Sequence, residues 1–126
     1  MTDFDPTTLR AAAAEREVIL TTEGRTSGQP AEVTIWVATD GSRIFIRSGK
    51  GLGRHWPRNL LASGAGTIRF GDRPVKFSPR LITDPEEARA VSSLYQEKYG
   101  DQIKPSAPTE PLTDGEKASF ELTPAL

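Results

Sequence analysis

Six short runs of this chain alternate apolar with polar side chains, and glycine, proline or aspartate stops each of them: Glu17–Thr22, Ala31–Thr39, Arg43–Ser48, Ala65–Phe70, Arg73–Thr83 and Lys117–Thr123. A period of two sends successive side chains to opposite faces of a strand, so each run is a predicted strand. Val33, Ile35 and Val37 share one face of the second run, and Glu32, Thr34 and Trp36 the other. In the third, Ile44 and Ile46 alternate with Phe45 and Arg47. The polar tip Gly24 to Pro30 and the turns Asp40-Gly41 and Gly71-Asp72 join neighbouring runs as hairpins. The first three runs then form a meander, and Pro79 marks a bulge or an edge in the fifth. The expectation is a mainly β, α+β fold whose antiparallel strands, about six of them, close into a barrel.

Three segments have the helical period instead. Asp5-Pro6 opens a predicted helix at Pro6–Glu15, and a second is predicted at His55–Ala62. Asp84-Pro85-Glu86-Glu87 supplies a cap, a proline at the first position and an acidic first turn to a third, Pro85–Tyr99. Ala88, Val91, Leu94 or Tyr95, and Tyr99 mark its buried face, and Gly100 ends it. Residues 101–116, with Pro105, Pro108 and Pro111, read as a surface excursion. At this length residues 1–126 read as one domain. No apolar run approaches the roughly 18 residues of a membrane span, and Met1 to Ala14 lacks the apolar stretch of a signal peptide. The absence of cysteine excludes disulfides and thiolate chemistry, and a single histidine leaves triads and His-clustered metal sites without parts. A cytoplasmic location without a bound metal is the resulting expectation.

Charge is segregated. From Arg43 to Arg80 the chain has nine basic side chains against the single acid Asp72, a balance of +8, and the total of −1 leaves −9 for the rest. A local basic surface of this kind recruits phosphate or another anion. At its centre lie the strand ending at Ser48, the loop Gly49-Lys50-Gly51-Leu52-Gly53 and the helix beginning at His55. Backbone N–H groups at such a loop can hold an anion. Arg54 stands where a dinucleotide fingerprint needs its third glycine, and no Walker spacing is present, so the residues alone allow either an anion site or a solvated loop. Arg25, Thr26 and Ser27 read equally as a polar turn. Trp36 and Trp56 read as core or dimer-interface aromatics before cofactor platforms, His55 as a surface residue, and Tyr95 and Tyr99 as packing residues.

The order of these pieces carries a resemblance. Thr21-Thr22-Glu23-Gly24-Arg25-Thr26-Ser27-Gly28, the strands joined by Asp40-Gly41, the Ser48-Gly49 loop and Trp56-Pro57-Arg58-Asn59-Leu60-Leu61-Ala62 together resemble the deazaflavin-dependent nitroreductases. Those belong to the split β-barrel superfamily of pyridoxamine phosphate oxidase-like flavin proteins. Thr2-Asp3-Phe4-Asp5 and Lys98-Tyr99-Gly100 are similar to one branch in particular, domain of unknown function 2255. The resemblance implies an antiparallel split β-barrel, a homodimer, and a cofactor groove at the dimer interface holding coenzyme F(420) or FMN. Its phosphate would lie near Arg25, Ser27, Gly28, Arg47, Ser48, Gly49, Lys50 and Arg54, and its ring near Trp56 and Asn59.

One departure stands out. Deazaflavin-binding relatives commonly place a basic residue a few positions after the Ser-Gly pair, where this chain has Glu32, face-matched to pair with Arg47. The implied activity is two-electron reduction of a small organic molecule, with the hydride chemistry residing in the cofactor. The alternatives are a non-catalytic, ligand-binding or structural split-barrel dimer, and a small nucleic-acid-binding barrel using Phe45, Trp56 and Phe70 as stacking platforms. The −9 outside the basic segment opposes binding a long polyanion.

Overall fold

The structure is a computed structural model and describes residues 4–125, so Thr2 and Asp3 of the resemblance lie outside the described residues. In chain order the elements are α1 (Pro6–Ala14), β1 (Val18–Glu23), β2 (Pro30–Ile35), β3 (Ala38–Thr39), β4 (Ile44–Arg47), α2 (His55–Ser63), β5 (Gly66–Phe70), β6 (Arg73–Leu81), α3 (Pro85–Tyr99), α4 (Asp114–Lys117) and β7 (Ser119–Pro124). One curled antiparallel sheet has the order β2-β1-β5-β6-β7-β4-β3. Its two edge strands, β2 and β3, are the halves of the single run expected at Ala31–Thr39. This is a split β-barrel, with seven strands because that run breaks at Trp36-Val37.

The cause of the break lies on α3. The Tyr99 hydroxyl accepts from the Val37 N–H at 3.1 Å and lies 2.9 Å from the Val37 carbonyl and 2.7 Å from that of Arg16. The Tyr95 hydroxyl reaches the carbonyls of Trp36 (3.2 Å) and Phe45 (3.3 Å), and burial raises its pKa, so the phenol stays protonated as a donor. Backbone groups that a continuous ladder would use are therefore bound by side chains about sixty positions away. β2 is left to pair with β1, and β3 with β4.

Alternation along the strands divides the core in two. Leu20, Ile44, Ile46, Ile68, Phe77 and Phe120 fill the barrel, while Phe45 lies on the other face among Ile82, Ala88, Val91 and Tyr95 beneath α3. At roughly 1.5–3 kcal/mol for each fully buried large apolar side chain, both clusters hold the sheet in its curl. Val33 departs from its expected face-mates Ile35 and Val37: it is 36% exposed, because β2 is an edge strand. Pro79 sits where β6 pairs with β7 beyond the end of its β5 ladder, so its missing N–H faces an unpaired edge. Gly66 is required by packing. A Cβ there would lie 2.6 Å from the Phe77 ring and 2.9 Å from Leu60, both fully buried. Gly66→Ala is expected to cost about 1–3 kcal/mol through overpacking, seen as a lower midpoint in thermal unfolding.

Lys98 holds α1 against the split. Its ammonium donates to the carbonyls of Ala12 (2.9 Å) and Glu15 (2.6 Å), at the end of α1, and to that of Val37 (2.9 Å). Burial and the neighbouring Arg16 pull its pKa down to about 8, which still leaves it protonated at neutral pH, with three protons for three acceptors. Lys98→Met preserves the apolar stem and removes the donors. A loss of about 1–3 kcal/mol is expected, discounted for partial solvent access, and urea denaturation would show it as a lower midpoint at unchanged slope.

The proline-rich stretch departs from a simple surface excursion. Thr113 caps the short helix α4 in a complete capping box with Glu116, and both Gly115 and Glu116 are buried. This turn occupies Lys117, so the last strand starts at Ser119.

Candidate functional site

The glycine loop leaves β4 and leads into α2, whose first residue is the exposed His55. Gly51 sits at φ +89°, a left-handed conformation that favours glycine, and Asp114 of α4 packs 3.4 Å from where its Cβ would lie. Gly49 and Gly53 have nothing within 4 Å of the equivalent position, so their backbone is open to close approach. Facing the loop is the edge strand β2, and between them runs a groove of about 690 Å³. Residues 31–35, 47–50 and 53–56 line it, with Thr22 and Asn59.

Ion pairing redraws the basic segment. Arg43 pairs with Asp40 (3.0 Å) and Glu87 (3.5 Å), Arg69 with Glu32 (3.6 Å), Arg73 with Asp5 (3.2 Å), and Arg80 with Glu87 and with Glu121 (2.6 Å). Four of the nine cations are thus neutralised by acids from all along the chain, which corrects the expectation of one broad basic face. Among the described residues no ion pair involves Arg47, Lys50, Arg54, Arg58 or Lys76. Two of these, Lys50 and Arg54, are exposed on the glycine loop at the mouth of the groove.

Of the residues singled out from sequence, Arg47, Ser48, Gly49, Lys50, Arg54, Trp56 and Asn59 come together around this groove. Gly28 lines a separate cavity of about 370 Å³ bordered by Thr21, Gly66, Thr67 and Lys76. Arg25 and Ser27 stand on the exposed hairpin tip, where the Ser27 hydroxyl accepts from the Gln29 N–H at 3.1 Å. Thr22 borders both cavities, and Nδ2 of Asn59 donates to its hydroxyl at 3.0 Å in a buried bond. Trp56 is only 9% exposed and packs on Phe120, ring centroids 5.9 Å apart. Glu32 pairs with Arg69 and not with Arg47, because β2 and β4 are not hydrogen-bonded neighbours. Phe45, Trp56 and Phe70 are all buried, so the three proposed stacking platforms offer no open ring face to a nucleic acid.

Arg47 is set by a network that the sequence reading missed. Its Nη1 donates to Ser92 Oγ at 2.9 Å, and Ser92 Oγ donates to Glu116 Oε2 at 3.0 Å. Glu116 also accepts from the Ser106 N–H (3.0 Å) and hydroxyl (2.6 Å) and from the Thr113 N–H (2.9 Å). Burial would raise the pKa of this fully buried carboxyl, but the bonds from Ser106, Thr113 and Ser92 outweigh it and pull it down to about 2. Gly115 makes the approach possible, since a Cβ there would collide with the Arg47 guanidinium. The available signal was Thr113-Asp114-Gly115-Glu116, a capping-box spacing within the proline-rich stretch.

A curled antiparallel sheet whose edge strands are two halves of one run, with a glycine-loop groove along one of them, defines a split-barrel fold. Residues 8–120 match the family described as "uncharacterized protein conserved in bacteria (DUF2255)", and the chain belongs to that family. No curated protein sequence matches it. Among solved structures, a reductase dependent on reduced coenzyme F(420) is similar at 20% identity and TM-score 0.63, over 86% of this chain and 94% of that one. The heme storage protein HutZ of Vibrio cholerae gives 16% identity and TM-score 0.66, over 97% and 90%. A protein assigned as a pyridoxamine 5′-phosphate oxidase from Listeria innocua gives 10% identity and TM-score 0.63, over 94% and 90%. At such identities the likeness is one of fold. Among the described residues no helix is long and apolar enough to cross a membrane, and no cluster of metal-ligating side chains occurs.

Proposed function

We propose that the groove binds coenzyme F(420) or FMN and that the protein is a nitroreductase-like oxidoreductase, reducing a small organic substrate by hydride transfer. The observation that carries this reading is the pairing of open glycine backbone at Gly49 and Gly53 with two cations that form no ion pair among the described residues, Lys50 and Arg54, at the mouth of the groove. The groove's volume of about 690 Å³ lies within the roughly 300–1,000 Å³ usual for ligand and cofactor pockets. Its donor set suits a phosphate, so the residues present fit the group.

Such a cofactor supplies the hydride chemistry itself. The chain's part is to bind and orient. Lys50, Arg54 and the loop N–H groups hold the phosphate, Arg47 and Ser48 close the groove floor, and the Trp56 and Asn59 wall sets its depth. Arg25, Ser27 and Gly28 enter this reading as contacts made across a homodimer. Exposure of Val33 at 36% on the edge strand β2 supports that association, since a partner would cover it. The test is parallel titration with coenzyme F(420) and FMN, followed by absorbance, beside light scattering for the dimer. Uptake of either at micromolar concentration is expected. Failure of both at about 500 μM would overturn the oxidoreductase reading.

The second reading is a split-barrel dimer that binds a small ligand without redox chemistry. It is favoured by Trp56 and Asn59, whose side chains are already engaged with Phe120 and Thr22.

A further inference from the structure

Arg47 borders two cavities. One is the groove; the other, of about 290 Å³, lies between Trp36, Tyr95, Ile103 and Gly49. A guanidinium has five N–H donors, and the hydrogen bond recorded for Arg47 uses one of them, to Ser92. Its carboxylate neighbour Glu116 is spent on Ser92, Ser106 and Thr113 and forms no ion pair with it within 4 Å among the described residues. The Tyr95 ring lies 5.5 Å below the guanidinium carbon, and Gly115 backs the fork so closely that any side chain there would displace it. The remaining donors are thus held in place, half-buried and, among the described residues, unmatched.

The rest of the smaller cavity is apolar and aromatic. Trp36, stacked on Tyr99 with centroids 4.1 Å apart and planes within 4°, is fixed as a flat wall, and Ile103 adds an aliphatic side chain to the lining. A flat apolar body against Trp36 with an anionic end on Arg47 satisfies both halves of this lining; a neutral molecule leaves the fork unmatched. From the geometry we infer that this cavity is a binding site for a planar aromatic carboxylate or its isosteric anion, held by a two-point contact with the Arg47 fork. The site shares Arg47 and Gly49 with the groove. As a substrate subsite it rests on the cofactor reading above; as a binding site it does not.

The probes are 2-naphthoate and its uncharged isostere 2-naphthamide, titrated by calorimetry into cofactor-free protein. The carboxylate is expected to bind at least about tenfold more tightly than the amide. Arg47→Met should abolish that preference. Ile103→Trp fills the cavity while leaving the Arg47 contacts alone, and should weaken 2-naphthoate by a similar factor; thermal melts certify that both variants are folded. Should Arg47→Met prove unfolded, the Ile103→Trp result with the two wild-type titrations decides. Equal affinity for the two probes, an unaltered preference in folded Arg47→Met, full 2-naphthoate binding by Ile103→Trp, or no binding to wild type at about 5 mM would each overturn the inference. Titrations with coenzyme F(420) and FMN on the same protein keep the readings apart: a protein that binds 2-naphthoate but takes up neither cofactor at about 500 μM loses the oxidoreductase reading and keeps the anion site.

Discussion

Glu116→Ala is expected to remove about 3–5 kcal/mol of folding stability, the scale found when one partner of a buried charged cluster is deleted. The carboxylate is fully buried and accepts four hydrogen bonds, so its loss strands donors on Ser92, Ser106 and Thr113 and dissolves the capping box of α4. For a chain of this size that corresponds to a fall of roughly 10–20 °C in the unfolding midpoint. Glu116→Gln keeps the shape but turns an NH2 toward donors, and most of the loss is expected to persist.

The pH dependence has a definite sign. Folding lowers this carboxyl from an ordinary value of 4.5 to about 2, so its contribution is complete above 4.5 and is lost as pH falls toward 2. Wild type should therefore shed about 3 kcal/mol across that window from this group alone. The alanine variant should show a correspondingly flatter acid limb in denaturant titrations at a series of pH values. An equally steep limb would show that other carboxyls govern acid unfolding.

For the groove, the double variant Lys50→Ala, Arg54→Ala is expected to weaken cofactor binding by about ten- to a hundredfold while changing stability little. Each charge-assisted contact contributes about 1.5–3 kcal/mol, discounted here because both side chains stand in solvent. Among the described residues neither makes an ion pair or belongs to the buried clusters, so the folded state loses no partner there. The dissociation constant of coenzyme F(420) or FMN, measured beside an unfolding curve, separates the two effects. An unchanged constant would remove the glycine loop from the site.

What could be read from the sequence was local. Alternation in Ile44-Phe45-Ile46 and the caps at Asp5 and Asp84 depend on neighbours a few positions away, and the strands and helices they predict are present. The break at Trp36-Val37 was not legible, because both residues continue the alternation and the hydroxyls that interrupt it come from Tyr95 and Tyr99. Charge behaved likewise: a run of cations is visible along the chain, but Asp5, Glu87 and Glu121 reach Arg73 and Arg80 only through the fold. Glu32 shows the same limit, its partner Arg69 lying on β5, two strands away in the sheet. Within the candidate site the loop, Trp56 and Asn59 follow one another in the sequence and were read together. The Glu116 network was missed because prolines masked a four-residue helix whose purpose is tertiary.

The position of β7 also governs the order in which the molecule can form. It lies between β4 and β6, and its pairings with β4 join residues 44–47 to 119–122. The hairpins β1–β2, β3–β4 and β5–β6 close short loops and can form early, whereas the seam across β7 must wait for contacts more than seventy positions apart. During synthesis, strands β4 and β6 therefore stay exposed along one edge each until the last strand emerges, a window in which unpaired edges invite association with other chains. Refolding should accordingly have a late, rate-limiting step in which β7 zips into place and the barrel closes.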